Sequence, residues 1–384
     1  MNTTTLCGLS IALAGSWCSA AAQSAGGWQF GAVLDIAHTT RALELGGRDQ
    51  GLQLGHSDLT ASGPLGSLFK AQINASFATH EGKLEKGIEE AWIETTRLGG
   101  GLQARAGRFA AQIGYLNQQH PHADDFVERP LLYRGFFGGH WNDDGLRLNW
   151  TAPTPFYLMV GAEAFRGKRL VEEVASPVRN PGIATFVVKT GADLTRSQSW
   201  QLGLSYIHNR REAAVEEHEH EEDAHAEGEA AEAHEHSHAH GAQFSGRKTW
   251  MIDATWKWAP GGNNRDQQLR LGFEAARTTG LNRYATRRDK HEANAITLVW
   301  RFLPEWEVGA RADWLRVRMP HEDHFDSALL RERSLMLAWK PSHMQSLRLQ
   351  YTTQRDAVGF ENPAKRSVQL QYVLAFGAHG AHAY

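Results

Sequence analysis

The chain has 384 residues, and its 40 Lys and Arg nearly balance its 43 Asp and Glu. Mean hydropathy is −0.47, and no apolar run past residue 22 approaches the roughly 20 residues of a membrane-crossing helix, so a helical membrane protein is excluded. Both cysteines, Cys7 and Cys18, precede residue 22, leaving the rest of the chain without a disulfide framework or a thiolate metal site.

In chain order, the first feature is the short apolar run from Leu6 to Trp17, followed by Ala20, Ala21 and Ala22. It predicts a signal peptide over 1–22, cut after Ala22, although residues 1–27 contain no Lys or Arg. The body of the chain, 23–384, then shows repeated alternation of apolar and polar residues, the mark of strands with two different environments. Phe69, Ala71, Ile73, Ala75 and Phe77 alternate with Lys70, Gln72, Asn74 and Ser76. Trp250, Ile252, Ala254, Trp256 and Trp258 alternate with Thr249, Met251, Asp253, Thr255 and Lys257, and Val368 to Phe376 repeats the pattern near the end.

Sixteen such segments are predicted, at 28–38, 50–60, 67–79, 88–97, 101–109, 144–151, 155–165, 183–193, 198–209, 248–258, 267–277, 292–303, 305–318, 332–340, 344–355 and 366–377. Linkers after even-numbered segments are short: Ser62-Gly63-Pro64, Gly99-Gly100-Gly101, Ala152-Pro153-Thr154, Pro260-Gly261-Gly262, Leu303-Pro304 and Pro341-Ser342. Those after odd-numbered segments are mostly long, at 110–143, 166–182, 210–247, 278–291 and 319–331. Alternation with sorted loops predicts an all-β fold, a transmembrane antiparallel barrel of about sixteen strands with short periplasmic turns and long external loops. Its surroundings would be outer-membrane lipid of a Gram-negative cell.

The hairpin from Trp92-Ile93-Glu94 to Gly107-Arg108-Phe109, with the long loop that follows, resembles the corresponding part of the phosphate-selective porins, over about residues 88–165. The strand count over the whole body is similar to the bacterial outer-membrane porin superfamily at large. That resemblance implies a third loop folded into the lumen, delivery by the outer-membrane assembly machinery, in keeping with the aromatic last residue Tyr384, and a homotrimer. The dense Arg and Lys ladders of the phosphate-selective members are missing, so phosphate specificity is not implied.

From Glu212 to His240 the composition changes abruptly: seven His (His218, His220, His225, His234, His236, His238, His240), eleven acidic residues and no Lys or Arg. A segment so poor in apolar residues cannot bury enough surface to offset its ordering entropy and is predicted to be a disordered external loop. Imidazoles bind zinc, copper and nickel, and carboxylates concentrate cations, so the loop is expected to collect divalent metal, zinc first, in exchanging modes. A hydrated acidic brush is the plainer alternative. Weaker candidates for metal are His120, His122, Asp124 and Asp125 in the third external loop, and His321 and His324 in the loop after the thirteenth segment. His379 and His382 would lie on the periplasmic side.

Without residues 212–240 the charge is 40 basic against 32 acidic. Alternation turns Lys70, Arg105, Arg147, Lys257, Arg270, Arg311 and Arg348 inward, against Glu90, Glu94, Asp253, Glu274, Glu307 and Asp313, a mixed lumen in which each charge either tunes selectivity or stiffens the wall through an ion pair. No catalytic motif is present, nothing calls for a prosthetic group, and no nucleic-acid partner is expected. The strand pattern starts at Trp28, which leaves no room for the plug domain of an energised receptor. Sixteen strands enclose an aqueous channel where about eight would fill with side chains, so the expectation is a channel for small solutes or ions, the alternative being a barrel that only anchors a metal-binding or adhesive surface.

Overall fold

The computed structural model describes residues 27–171, 174, 178, 180–212, 241–321, 324–360 and 366–377. The predicted leader 1–22, the seven histidines between His218 and His240, and His379, His382 and Tyr384 lie outside the described residues.

The strands are β1 (Gln29–Thr39), β2 (Gly51–Leu54), β3 (Ser57–Leu65), β4 (Phe69–His80), β5 (Lys83–Thr95), β6 (Leu102–Ala110), β7 (Asn142–Thr151), β8 (Tyr157–Phe165), β9 (Ile183–Thr195), β10 (Gln198–Asn209), β11 (Lys248–Trp258), β12 (Gln268–Thr279), β13 (Lys290–Leu303), β14 (Trp306–His321), β15 (His324–Ser342), β16 (Gln345–Val358) and β17 (Arg366–Gly377). Apart from β2 and β3, neighbours in sequence pair antiparallel. β1 pairs with β17 on one side, Leu34 opposite Leu374, and with both β2 and β3 on the other, so the sheet closes and leaves no free edge. β2 and β3 are one barrel strand interrupted at Gly55–His56, which makes the closed barrel sixteen-stranded.

Alternation sets which residues face out. Leu59, Ile73, Ile93, Leu146, Leu148, Phe186, Leu204, Ile252, Leu298, Leu337 and Leu370 are exposed around the wall, an apolar belt that a water-soluble domain would not carry. Phe69, Trp150, Tyr157, Trp300, Trp339 and Phe376 sit toward the short-turn ends, the position of an interfacial aromatic girdle. Among the described residues no helix is long and apolar enough to cross a membrane.

Three linkers differ from expectation. Pro341-Ser342 falls inside β15, with the turn at 343–344. Ser62-Gly63-Pro64 lies inside β3, paired with Lys70 to Gln72, and the turn falls at 66–68. The expected external loop 319–331 is mostly strand, because β14 and β15 stay paired out to His321 opposite His324. These strands outrun the roughly 9–11 residues a bilayer needs. Their inward Leu315, Val317, Ala328 and Leu330 are buried against the lumen segment described next, and that packing keeps the outer ends paired.

Residues 111–141 leave β6 and fold into the barrel. A short helix, α1 (Leu131–Phe137), is buried along its whole length, capped at Gly138 in the left-handed conformation. Leu131, Leu132, Tyr133, Phe136, Phe137 and Trp141 pack with Ile113 and with Phe165, Ile183, Ile207, Met251, Leu315 and Leu330 of the wall, so the main apolar core lies inside the lumen. Arg134 on α1 donates to Glu332 of β15 at 2.6 Å, and both are buried. Replacing Arg134 with Ala removes one of three donors to the buried Glu332 carboxylate, leaving Arg311 and Gln354, and should cost about 1–3 kcal/mol of stability, and Leu132→Ala about 2–5 kcal/mol. Equilibrium unfolding in urea checks both, and unchanged midpoints would show that α1 is not docked.

Candidate functional site

Three loop-borne histidines and three wall residues meet on the side of the lumen segment facing β3 and β5. His120, Pro121 and His122 lie at the start of a single 3-10 turn, and His140 precedes the entry to β7. Against them stand His56, at the interruption between β2 and β3, Asp58 of β3 and Glu89 of β5. The partners of Asp58 are Val33 and Ser76, near the middles of β1 and β4, so the cluster lies at mid-height in the barrel.

Both wall contributions depend on irregularities of register. Between β1 and the β2–β3 strand the pairing shifts by one residue, and Ser57 and Asp58 are consecutively buried. Between β4 and β5 it shifts again after Asn74, so Glu89 and Glu90 are both buried. A bulge inserts one extra residue and re-aims a side chain that strict alternation would turn to the opposite face. Glu89 would otherwise point into lipid.

The geometry is close. The His56 Nε2 lies 3.2 Å from Asp58 Oδ1 and 3.0 Å from Glu89 Oε2. The His120 Nδ1 lies 3.4 Å from Asp58 Oδ2 and 3.4 Å from Glu89 Oε2, and the His122 Nδ1 3.1 Å from Asp58 Oδ2. The His140 Nδ1 is 2.6 Å from Glu89 Oε1, which leaves Oε2 directed at the cluster. The ligand atoms of His56, Asp58, Glu89 and His120 fall within 4.8 Å of one another. Burial alone would push His120 down, but the Glu89 and Asp58 carboxylates hold it up at about 9. Burial pushes His122 and His140 below the usual imidazole value. Such a group of imidazoles and carboxylates can hold either protons or a metal ion.

The other predicted residues are placed differently. Arg129 claims Asp124 at 2.6 Å, and Asp125 pairs with Arg270, so neither acid joins the histidine cluster. His321 and His324 sit at the outer tip of the β14–β15 hairpin, where His324 is exposed. Lys70 and Arg105 both pair with Glu94 at 2.7 Å, and Glu307 pairs with Lys340 and Arg301 at 2.5 Å. Glu90 accepts from Gln72 at 2.7 Å and from the Ala110 amide. Lys257 stands over the Tyr115 ring, 5.9 Å from its centroid. Asp253 is buried near the lumen segment, and Glu274 accepts from the Tyr133 hydroxyl and, at 2.9 Å, from the Tyr115 amide.

Three inward arginines serve the lumen segment's backbone. Arg147, held by Glu163 at 2.6 Å, donates to Ala110 O at 2.5 Å; Arg311, beside Asp313 at 2.7 Å, donates to Glu128 O at 2.6 Å; Arg348 donates to His122 O at 2.9 Å. Beneath the segment a small cavity remains, bordered by Tyr115, Asp125, Phe126, Thr255, Arg270 and Thr297.

Sequence reading reached His120 and His122 but not His56, Asp58, Glu89 or His140. A signal existed for the wall residues. Adjacent acids, Glu89-Glu90, in an otherwise alternating strand would send one carboxylate into the bilayer, and a bulge is the inexpensive escape.

No family model matches the chain. A curated uncharacterized protein of Aquifex aeolicus is 31% identical over 172 residues; the chain covers only 36% of the length of that relative, with 42% of its own. Among solved structures, OprB of Pseudomonas putida at high pH superposes with a TM-score of 0.60 at 13% identity, over 91% of this chain and 94% of that one. The trimer form of OmpT from Vibrio cholerae gives 0.54 at 10% identity, over 91% and 99%. The outer-membrane channel DcaP of Acinetobacter baumannii gives 0.51 at 11% identity, over 91% and 96%. These likenesses are of fold: the chain shares the closed antiparallel barrel of these outer-membrane proteins.

Proposed function

We propose that the protein is an outer-membrane diffusion channel for small hydrophilic solutes or ions, with residues 111–141 as its constriction and the His-rich loop as an external collector of divalent metal. The observation that carries the reading is a closed sixteen-stranded wall, wide enough for water, narrowed by one inserted segment. Solute would pass the mixed charges around Arg270, Asp125 and Lys257 below that segment. A homotrimer, as in the trimer form of OmpT, is part of the proposal.

A second reading, a barrel that only anchors a metal-collecting surface, is favoured by the apolar seating of α1, which fills much of the lumen. Deletion of 116–128 separates the two. If the segment is the constriction, single-channel conductance in a planar bilayer rises several-fold; no change in a correctly folded barrel removes it from that role.

Zinc capture by the loop has its own signature. Imidazole must be neutral to ligate, and unperturbed His titrates near about 6.5, so binding is present above that pH and lost below it, whereas carboxylate binding would persist toward about pH 4. Calorimetry should show most of the zinc capacity lost when the seven histidines from His218 to His240 are changed to Asn. Equal capacity at pH 7.5, or capacity retained by the wild type at pH 5, would mean a hydrated acidic brush.

A further inference from the structure

We propose that His56, Asp58, Glu89 and His120 form a built site for one divalent transition-metal ion, with His122 holding Asp58 from the segment side, and that the ion pins the proposed constriction segment to the barrel wall. The proposal deepens the channel reading, and it rests on that reading only for where the ion lies relative to the solute path.

The unpartnered atoms argue for it. His56 Nε2, both oxygens of Asp58, Glu89 Oε2, His120 Nδ1 and His122 Nδ1 are buried, and none has a partner in hydrogen-bond geometry. The contacts among them are ion pairs only when the imidazoles are protonated, and with neutral imidazoles six buried polar atoms would be left uncompensated, at about 1–3 kcal/mol each. Yet the ligand atoms of His56, Asp58, Glu89 and His120 lie within 4.8 Å of one another, with imidazole–carboxylate contacts of 3.0 to 3.4 Å, close to the spacing around a single ion. Ligands about 2.1 Å from a tetrahedral ion lie about 3.4 Å apart, and closer when the coordination number rises. Asp58 and Glu89 are 2% and 4% exposed, so the two carboxylates are taken from water before any ion arrives.

The donor set names the class. Two imidazole nitrogens with two carboxylates suit zinc and its first-row neighbours and disfavour magnesium and calcium, which take oxygen ligands. His140 is a positioning residue. Its Nδ1 holds Glu89 Oε1 at 2.6 Å, with Asn142 at 3.5 Å on the same oxygen, and so turns Oε2 toward the ion. Ligands from the wall and from the segment then share one ion, as a cross-link between elements that the sequence holds far apart.

The test uses the full chain with the seven loop histidines changed to Asn, so that the external loop contributes no imidazole. Zinc calorimetry should give one ion per chain, and cobalt(II) should give a visible d–d spectrum of mixed nitrogen and oxygen ligation. H56Q/H120Q should abolish both, with barrel folding verified by heat-modifiable gel mobility. H140A should keep one ion per chain and weaken affinity by about 10–100-fold. Chelation should speed hydrogen exchange over 111–141 and leave β11 to β13 unchanged. No zinc bound by the seven-Asn background, an unaltered affinity and cobalt spectrum in H56Q/H120Q, or equal binding of magnesium overturns the site; bound ion with unchanged exchange overturns the pinning. None of these readouts uses current, so a failure here and a failure of the channel reading are told apart.

Discussion

A backbone segment placed inside a barrel gives up water around its carbonyls, and an unsatisfied buried carbonyl costs about as much as a lost hydrogen bond. The wall supplies the replacement. Arg147, Arg311, Arg348 and Lys189 reach from β7, β14, β16 and β9 to the carbonyls of Ala110, Glu128, His122 and Gly114, and each comes from a different part of the circumference. The segment is therefore tied around the barrel at several points. The apolar seating of α1 and the mid-height cluster depend on that placement.

The same contacts change how the inward charges read. Counted from sequence, the inward charges are mixed and leave selectivity open, and a guanidinium already committed to a backbone carbonyl and a carboxylate has little field left for a solute. Gly114 shows how tight the seating is. It has φ +57, and a Cβ built there would come within 2.2 Å of the Met251 methyl and 2.3 Å of the Tyr133 hydroxyl. Arg270 and Asp125, themselves an ion pair, border the small cavity together with Asp124, Glu128, Arg129, Glu274 and Arg311, so the charges beside that space are mixed.

The barrel was legible in the sequence because alternation and loop sorting are local properties of a wall with lipid on one side. Sixteen segments corresponded to sixteen barrel strands, and the errors were of length, where β14 and β15 extend under the influence of a tertiary contact their own pattern does not carry. The cluster was half legible. His120 and His122 announce themselves by type and loop position, but His56 and Glu89 depend on two one-residue shifts of register, and a period-2 reading assumes that such shifts do not occur. Likewise Asp124 and Asp125 look like ligands beside His122 until the folded chain gives them to Arg129 and Arg270.

Two histidine-rich regions in one chain need not do the same thing. The segment from His218 to His240 has almost no large apolar residue in its sequence, so its sequence alone specifies no fixed arrangement of the imidazoles. The inner group has its ligands placed by two bulges, a 3-10 turn and the His140 contact, and that ordering is already included in folding. A conduction site has to release its ion readily. Four converging ligands, two of them buried carboxylates, do the opposite, so an ion at mid-height would be a fixture of the proposed constriction and not a passing solute.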